Sequence, residues 1–207
     1  MQHPVAGLVL AAGEGKRLGL GTKALLPFHG RPLLEHVLAQ LAAGGCAPLT
    51  VVLGAEAGRV RRTAELGAAK VVVNSGWASG LGSSFRFGVD AAAAAAPEAG
   101  YLLVALTDQP GIRAAVVARL LRHRTPGRIT VPLYRRPDSA ALVPGHPLVF
   151  DLGLARQAAA EARGDAGARS FLAANPHLLD TVDCSGLGDG RDVDTREDLA
   201  LLEQPLP

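Results

Sequence analysis

An apolar strand running straight into a glycine-rich loop, VLAAGEGKRLGLGTK over residues 9–23, constrains this chain more than any other segment. Glycine lacks a Cβ, so Gly13, Gly15, Gly19 and Gly21 are free to take positive φ and turn backbone N–H groups toward anionic oxygens. The same loop carries Lys16, Arg17 and Lys23. Arg17 offers a planar fork of donors suited to a phosphate, while Lys23 is a compact charge on a flexible stem that can follow a phosphate as it reacts. Such a loop at the end of a strand reads as a polyphosphate cradle.

Two familiar phosphate loops differ from it. The string GxxxxGK followed by Ser or Thr does not occur, which excludes a Walker loop. Gly13, Gly15 and Gly19 give GxGxxxG after a strand, but the dinucleotide fingerprint needs its helix to begin inside the glycines. Pro27, Gly30 and Pro32 postpone the first helix to about Pro32, where proline suits the first helical position. The segment between is expected to form a long arm around the ligand.

The remaining apolar runs of strand length fall at residues 5–10, 49–53, 70–73, 101–106 and 128–132. Helical patterns fill the gaps at 32–43, 56–66, 83–95 and 112–122. Strands alternating with helices predict an α/β fold with a mostly parallel central sheet, and the continuous Val/Leu character of the strands predicts helices on both faces. Residues 91–96 are all alanine, the best helix former, and Pro97 ends the run. After about Tyr134 the texture changes: prolines at 132, 137, 144 and 147 and nearby glycines break the alternation before helices at 151–162 and 166–175. This half is expected to be irregular and to close over a substrate. A last helix is predicted from about Thr195, with Asp198 three residues on in the manner of a capping box.

Composition excludes several classes. The 207 residues are 48% hydrophobic, enough for one domain with a sizeable core. Net charge is +2 and aromatics are 4%, which argues against a nucleic-acid face or stacking platforms. The two cysteines, Cys46 and Cys184, have neither disulfide nor zinc spacing and read as free thiols in a reducing cytoplasm. The N-terminal apolar run is too short for a signal peptide or a membrane span. A cytoplasmic protein is expected.

The apolar run at 101–106 leads into TDQP and delivers Asp108 to the carboxyl end of a strand, where ligands of open α/β sheets bind. An acid beside a polyphosphate needs a cation between them, and Mg²⁺ typically takes one or two carboxylates plus phosphate oxygens. In GRDVDTREDL, Asp192 and Asp194 flank Val193, and on a short extended segment both share one face. Asp194 is the preferred partner of Asp108; helix capping is the alternative for Asp108, and helix-start chemistry for the later acids. The segment NSGWASGLGSS, residues 74–84, joins glycines and serines to a helix start and fits close to a nucleotide, although Trp77 equally suits a core anchor. His146 in GHP could contact substrate or fill a turn. Asp165 and Arg169 in GDAGAR offer an acid and a cation across a turn, or a structural pair.

Together the strings LAAGEGKRLG with Lys23, GRPLLEHVLAQL, NSGWASGLGSS, TDQP, GHPLVF, GDAGAR and DVDTREDL resemble, in order and over nearly the whole chain, the molybdenum cofactor cytidylyltransferase family. That family lies within the larger group of nucleotidyltransferases that includes the guanylyltransferase of molybdopterin. The resemblance implies a three-layer Rossmann-like nucleotidyltransferase fold in one domain, with residues 1–133 as the nucleotide half and 134–207 as the acceptor-side and metal-binding half. It implies CTP lying along Leu10, Ala11, Ala12, Gly13, Gly15, Lys16, Arg17 and Lys23, with Asn74, Gly80, Ser83 and Asp108 completing the nucleotide side. Lys23, Arg17 and Asp108 are the catalytic candidates. Asp108 with Asp194 would bind Mg²⁺, and His146, Asp165 and Arg169 would lie toward the pterin. Guanylyltransferases usually carry a second glycine where Ala12 stands before Gly13, so the sequence favours a pyrimidine nucleotide. The implied reaction is transfer of CMP from CTP to molybdenum-bearing molybdopterin, giving molybdopterin cytosine dinucleotide and pyrophosphate, with a molybdoenzyme as recipient. This chain departs from the pattern in having Thr22 where proline commonly precedes the lysine, a loop about one residue longer, and Gly15 where serine is frequent. A branch of these relatives has been named as oxidoreductases of a nicotine pigment. The alternatives are transfer of GMP or another nucleotide to molybdopterin or a different phosphorylated acceptor, an NAD(P)-dependent oxidoreductase, and a nucleotide-binding chaperone that delivers finished cofactor.

Overall fold

A computed structural model describes residues 4–136 and 140–203. Pro137 lies outside the described residues. In chain order the elements are β1 (Val5–Ala11), β2 (Pro27–Phe28), β3 (Arg31–Pro32), α1 (Leu33–Ala43), β4 (Leu49–Leu53), α2 (Ala57–Thr63), β5 (Lys70–Val73), α3 (Leu81–Ala95), β6 (Tyr101–Leu106), α4 (Ala114–His123), β7 (Ile129–Arg135), β8 (Leu142–Pro144), β9 (Leu148–Asp151), α5 (Leu152–Glu161), α6 (Arg169–Ala174) and β10 (Leu179–Asp183).

An 8-stranded sheet runs in the order β10-β7-β9-β6-β1-β4-β5, with β8 paired to β7. Pairs β1–β4, β1–β6, β4–β5 and β7–β10 are parallel, and β9 is antiparallel to both β6 and β7. The chain moves outward from β1 to β4 and β5, then returns through α3 to place β6 on the other side of β1. The reversal leaves a crevice at the carboxyl ends of β1 and β6, where open α/β sheets bind ligands.

Alternation along the strands divides the core into two layers. From β1, Val5, Val9 and Ala11 face a cluster with Leu34, Val37 and Leu41 of α1 and Val116, Val117 and Leu120 of α4. Ala6, Leu8 and Leu10 face the opposite cluster, with Phe85 and Val89 of α3, Ala155 and Ala158 of α5 and Phe171 of α6. The result is the three-layer α/β fold with a mostly parallel central sheet. A third, smaller cluster joins Leu18, Leu26, Phe28 and Leu33 to Val193 and Leu201, so the last described segment packs on the glycine loop and the residues after it. Both cysteines are buried and free, and burial pushes the Cys46 thiol up to about 12. Among the described residues no helix is long and apolar enough to cross a membrane.

Several boundaries differ from those expected. Beyond Tyr134 the described residues are more regular than expected, since β8, β9 and β10 complete the sheet, with β9 inserted between β6 and β7; the segment that carries Asp194 is irregular. The strand expected at 128–132 continues to Arg135 because β8 pairs with its far end. Helix α2 stops at Thr63, since the Glu65 N–H is taken by Glu35 Oε1 at 2.9 Å. Helix α4 starts at Ala114, whose N–H is taken by Gln40 Oε1 at 2.8 Å. A 3₁₀ turn at Gly164–Ala166, ended by Gly167, delays α6 to Arg169. The terminal segment is a 3₁₀ helix, Glu197–Glu203, and Asp198 Oδ2 accepts the Thr195 N–H at 2.8 Å in the manner expected of its cap.

Close packing of α3 on the sheet depends on Gly88, where a Cβ would stand 2.8 Å from Val52 Cγ2 and 2.9 Å from Leu8 Cδ1. Gly88→Val is expected to destabilise the protein by about 1–3 kcal/mol through overpacking. Thermal unfolding should show a midpoint lower by roughly 2–4 °C per kcal/mol for a domain of this size; an unchanged midpoint would mean that α3 sits further from β1 and β4.

Candidate functional site

The glycine loop leaves β1 and turns at residues 15–19, where the Gly15 carbonyl accepts the N–H groups of Leu18 and Gly19, each at 3.1 Å. Gly15 has φ 69°, and a Cβ there would lie 2.3 Å from the Gly21 carbonyl oxygen. The two arms of the loop approach too closely for a serine at this position, which accounts for the glycine found there. Gly19 and Gly21 also have positive φ, but Gly13, grouped with them on sequence grounds, does not. Leu10, Ala11 and Ala12 are buried at the strand end. Lys16 is turned outward to Glu14, 3.2 Å away.

Lys23 opens a short 3₁₀ turn, Lys23–Leu25, and points into the crevice. Its Nζ donates to Asp108 Oδ2 at 2.9 Å and to Asp194 Oδ1. Burial acts to lower the lysine pKa, but the carboxylates, Asp108 foremost, outweigh it and hold the pKa above its ordinary value. The Arg17 guanidinium, 80% exposed, lies 3.9 Å from Asp194 Oδ2 and is free to meet a ligand from the solvent side.

Three features bring Asp194 to this point. The Val193 N–H donates to the Asp108 carbonyl at 2.9 Å, the Val193 side chain is fully buried in the third cluster, and Gln109 Nε2 donates to Asp192 Oδ1 at 2.6 Å. The two acids around Val193 therefore separate: Asp194 meets Lys23, and Asp192 is held by Gln109. Burial, then the negative charge of Asp108, pushes the Asp192 carboxyl up to about 6.

The residues present fit a divalent cation. Asp108 Oδ1 is buried without a hydrogen-bond partner, and Asp108 and Asp194 lie close enough to share one ammonium. Among the described residues no group of three or more His, Cys, Asp and Glu side chains is arranged to hold a metal alone. This matches a hard cation that takes one or two carboxylates and fills its shell from phosphates and water.

The second glycine loop is organised around buried Asn74. Its Nδ2 donates to Ser83 Oγ at 3.0 Å and Ser84 Oγ at 3.1 Å, and its Oδ1 accepts the Gly76 N–H at 2.9 Å. Asn74 and Ser83 thus shape the loop and the start of α3, which begins at Leu81 rather than Ser83. Trp77 is half-buried against the sheet, packed on Gly54, where a Cβ would come within 2.6 Å of its own Cβ. Gly80 has φ 105° and lies against GDAGAR: a Cβ there would be 2.5 Å from the Gly164 carbonyl and 2.6 Å from Asp165 Oδ1. Asp165 consequently borders the second glycine loop. His146 is half-buried between β8 and β9, and its carbonyl accepts the Tyr134 hydroxyl at 2.7 Å. Burial lowers its pKa, with Asp108 opposing and Arg169 reinforcing the shift, so His146 stands within the fields of both.

Sequence reasoning passed over Gln109, which secures the Asp192 loop, although its place beside Asp108 was a usable signal. It also passed over Glu56, whose Oε1 accepts the Thr22 N–H at 3.2 Å. Those partners are 34 residues apart and no local pattern joins them.

Residues 7–180 match the MobA-like NTP transferase domain. Nicotine blue oxidoreductase of Paenarthrobacter nicotinovorans is 47% identical over 199 residues, covering 96% of each chain. Molybdenum cofactor guanylyltransferase of Xanthomonas euvesicatoria is 39% identical over 127 residues, 60% of this chain and 59% of that one. Rv0371c of Mycobacterium tuberculosis has a crystal structure that superposes with a TM-score of 0.84 at 28% identity, covering 98% of both chains. A second structure of that protein, a complex with manganese, gives a TM-score of 0.78 at 27% identity, covering 96% of this chain and 97% of that one. By its sequence match and its fold, the chain belongs to the MobA-like NTP transferase domain family of nucleotidyltransferases.

Proposed function

We propose that this enzyme transfers CMP from CTP to the terminal phosphate of molybdenum-bearing molybdopterin and releases pyrophosphate, with Mg²⁺ as its cation. The observation that carries the reading is the Lys23 ammonium lodged between Asp108 and Asp194 at the mouth of the glycine loop. The loop amides and Arg17 hold the polyphosphate; residues 1–133 form the nucleotide side, and 134–207 supply Asp194 and the acceptor side. His146 and Arg169 are assigned to the acceptor side, while Asp165 borders the second glycine loop at Gly80. The Ala11-Ala12-Gly13 strand end supports the choice of CTP.

The acceptor phosphate is already an anionic nucleophile, so no protein base is needed. Its oxygen attacks the α-phosphorus as the bond to the β-phosphate oxygen breaks, and the protein's part is alignment and charge neutralisation. Asp108 and Asp194 would hold Mg²⁺, which when bound neutralises charge on the reacting and departing phosphates. Lys23 adds a fixed positive charge at the same place.

The 47% identity to a nicotine blue oxidoreductase favours a second reading, an NAD(P)-dependent reductase. Against it, the first α-helix after β1 begins only at Leu33, whereas a dinucleotide pyrophosphate is held on a helix that starts within the glycines.

Pyrophosphate release with Mg²⁺ and molybdenum-loaded molybdopterin, compared for CTP, GTP, ATP and UTP, is expected with CTP alone. Release with GTP instead would move the assignment to GMP transfer. NADPH oxidation in the presence of nicotine blue, with no nucleotide turnover, would establish the reductase.

Lys23→Ala and Asp108→Asn should each lower kcat by roughly 10²–10³-fold, the scale of a lost preorganised charge contact, with circular dichroism unchanged. Wild-type turnover in either variant would remove that residue from the site. Chelation with EDTA should abolish transfer, and added Mg²⁺ should restore it; full activity in EDTA would exclude the Asp108–Asp194 pair as a required metal site.

A further inference from the structure

The glycine loop has few side-chain anchors of its own. Gly13, Glu14, Lys16, Arg17, Gly19 and Leu20 are exposed, and Leu18 is buried in its middle. Its two ends are tied instead to one turn that follows β4. The Ala55 N–H donates to the Ala12 carbonyl at 3.0 Å, and the Thr22 N–H donates to Glu56 Oε1 at 3.2 Å. The anchoring residues are consecutive, so the beginning and the end of the loop are fixed against a single place in the fold.

Glu56 is unusual in its own backbone. It has φ 51° and ψ 25°, the left-handed region that residues with a Cβ seldom occupy. Its carbonyl accepts the N–H groups of Arg59 and Val60 at 2.8 and 3.0 Å, which fixes it at the start of α2. That conformation lays the carboxylate on the loop: a Cβ at Gly21 would stand 2.9 Å from Oε1. A carboxylate beside a phosphate cradle would repel its ligand, and Arg59 offsets this charge by donating to Oε2 at 2.7 Å. Strained residues kept in place by their surroundings concentrate at functional sites.

We infer that Glu56 is a positioning residue for Lys23. By accepting the Thr22 N–H it sets where the residue before Lys23 lies, and so where the ammonium enters between Asp108 and Asp194. It acts through the Thr22 backbone and touches no reacting atom. The inference rests on the reading of Lys23 as the group that handles the reacting phosphates.

Glu56→Ala removes the acceptor while leaving a residue equally restricted at that φ, and Glu56→Gln keeps an acceptor oxygen. Glu56→Ala is expected to lower kcat roughly ten- to hundredfold, the scale of a misplaced catalytic group, with the nucleotide KM little changed. Glu56→Gln should recover most of the loss. Wild-type kcat in Glu56→Ala would overturn the inference. Hydrogen exchange of the Thr22 amide tests the tether without any substrate: it should quicken in Glu56→Ala and stay slow in Glu56→Gln, and unchanged exchange in Glu56→Ala overturns it. A wild type that turns over no nucleotide, with exchange responding as expected, supports the tether and overturns the transferase reading instead.

Discussion

Lys23 carries one positive charge that two carboxylates from distant parts of the chain share, Asp108 at the end of β6 and Asp194 beyond β10. Much of the architecture can be traced to that meeting. An ammonium removed from water needs opposite charge beside it, and two acids brought together need a cation between them. Each group makes the position of the others tolerable. Asp108 Oδ1 is buried and has no hydrogen-bond partner, so it carries an acceptor that Lys23 does not use. A site with spare negative charge beside a loop of amides and cations suits a ligand that arrives as a metal–polyphosphate complex.

The fold delivers these groups by different means. Asp108 lies in the turn just beyond β6, a buried strand paired along its length with β1. Asp194 comes on an irregular segment held by a small apolar cluster of its own, in which Val193 and Leu201 pack on Leu18, Leu26, Phe28 and Leu33. That cluster ties the Asp194 segment to the loop that carries Lys23.

The first half of the chain is legible in the sequence because its signals are local. An apolar run followed by glycines marks β1 and the loop, the Val/Leu run before TDQP marks β6, and the prolines and glycine before Leu33 place α1. The alternation of strands and helices implies the layers. What the sequence hides depends on contacts across the chain. Strand β9 is short and antiparallel, and its place between β6 and β7 is set by their edges, not by its own pattern. Prolines at 144 and 147 look like interruptions, yet Pro144 lies within β8 and Pro147 stands just before β9. Glycines that look alike in the string differ in space: Gly15 is required by the Gly21 carbonyl, while a Cβ on Gly13 would meet nothing within 4 Å. The string alone offers Asp192 and Asp194 on equal terms of spacing, and the geometry separates them through Gln109.

The most direct test of this account is a crystal structure with Mn²⁺ and a non-hydrolysable CTP analogue, collected at the manganese absorption edge. The account predicts an anomalous peak within coordination distance of both Asp108 and Asp194, with the triphosphate along residues 13–23 and Lys23 released from at least one carboxylate to meet it. A peak elsewhere, or a nucleotide whose phosphates avoid the loop while Lys23 stays between the two acids, would contradict it.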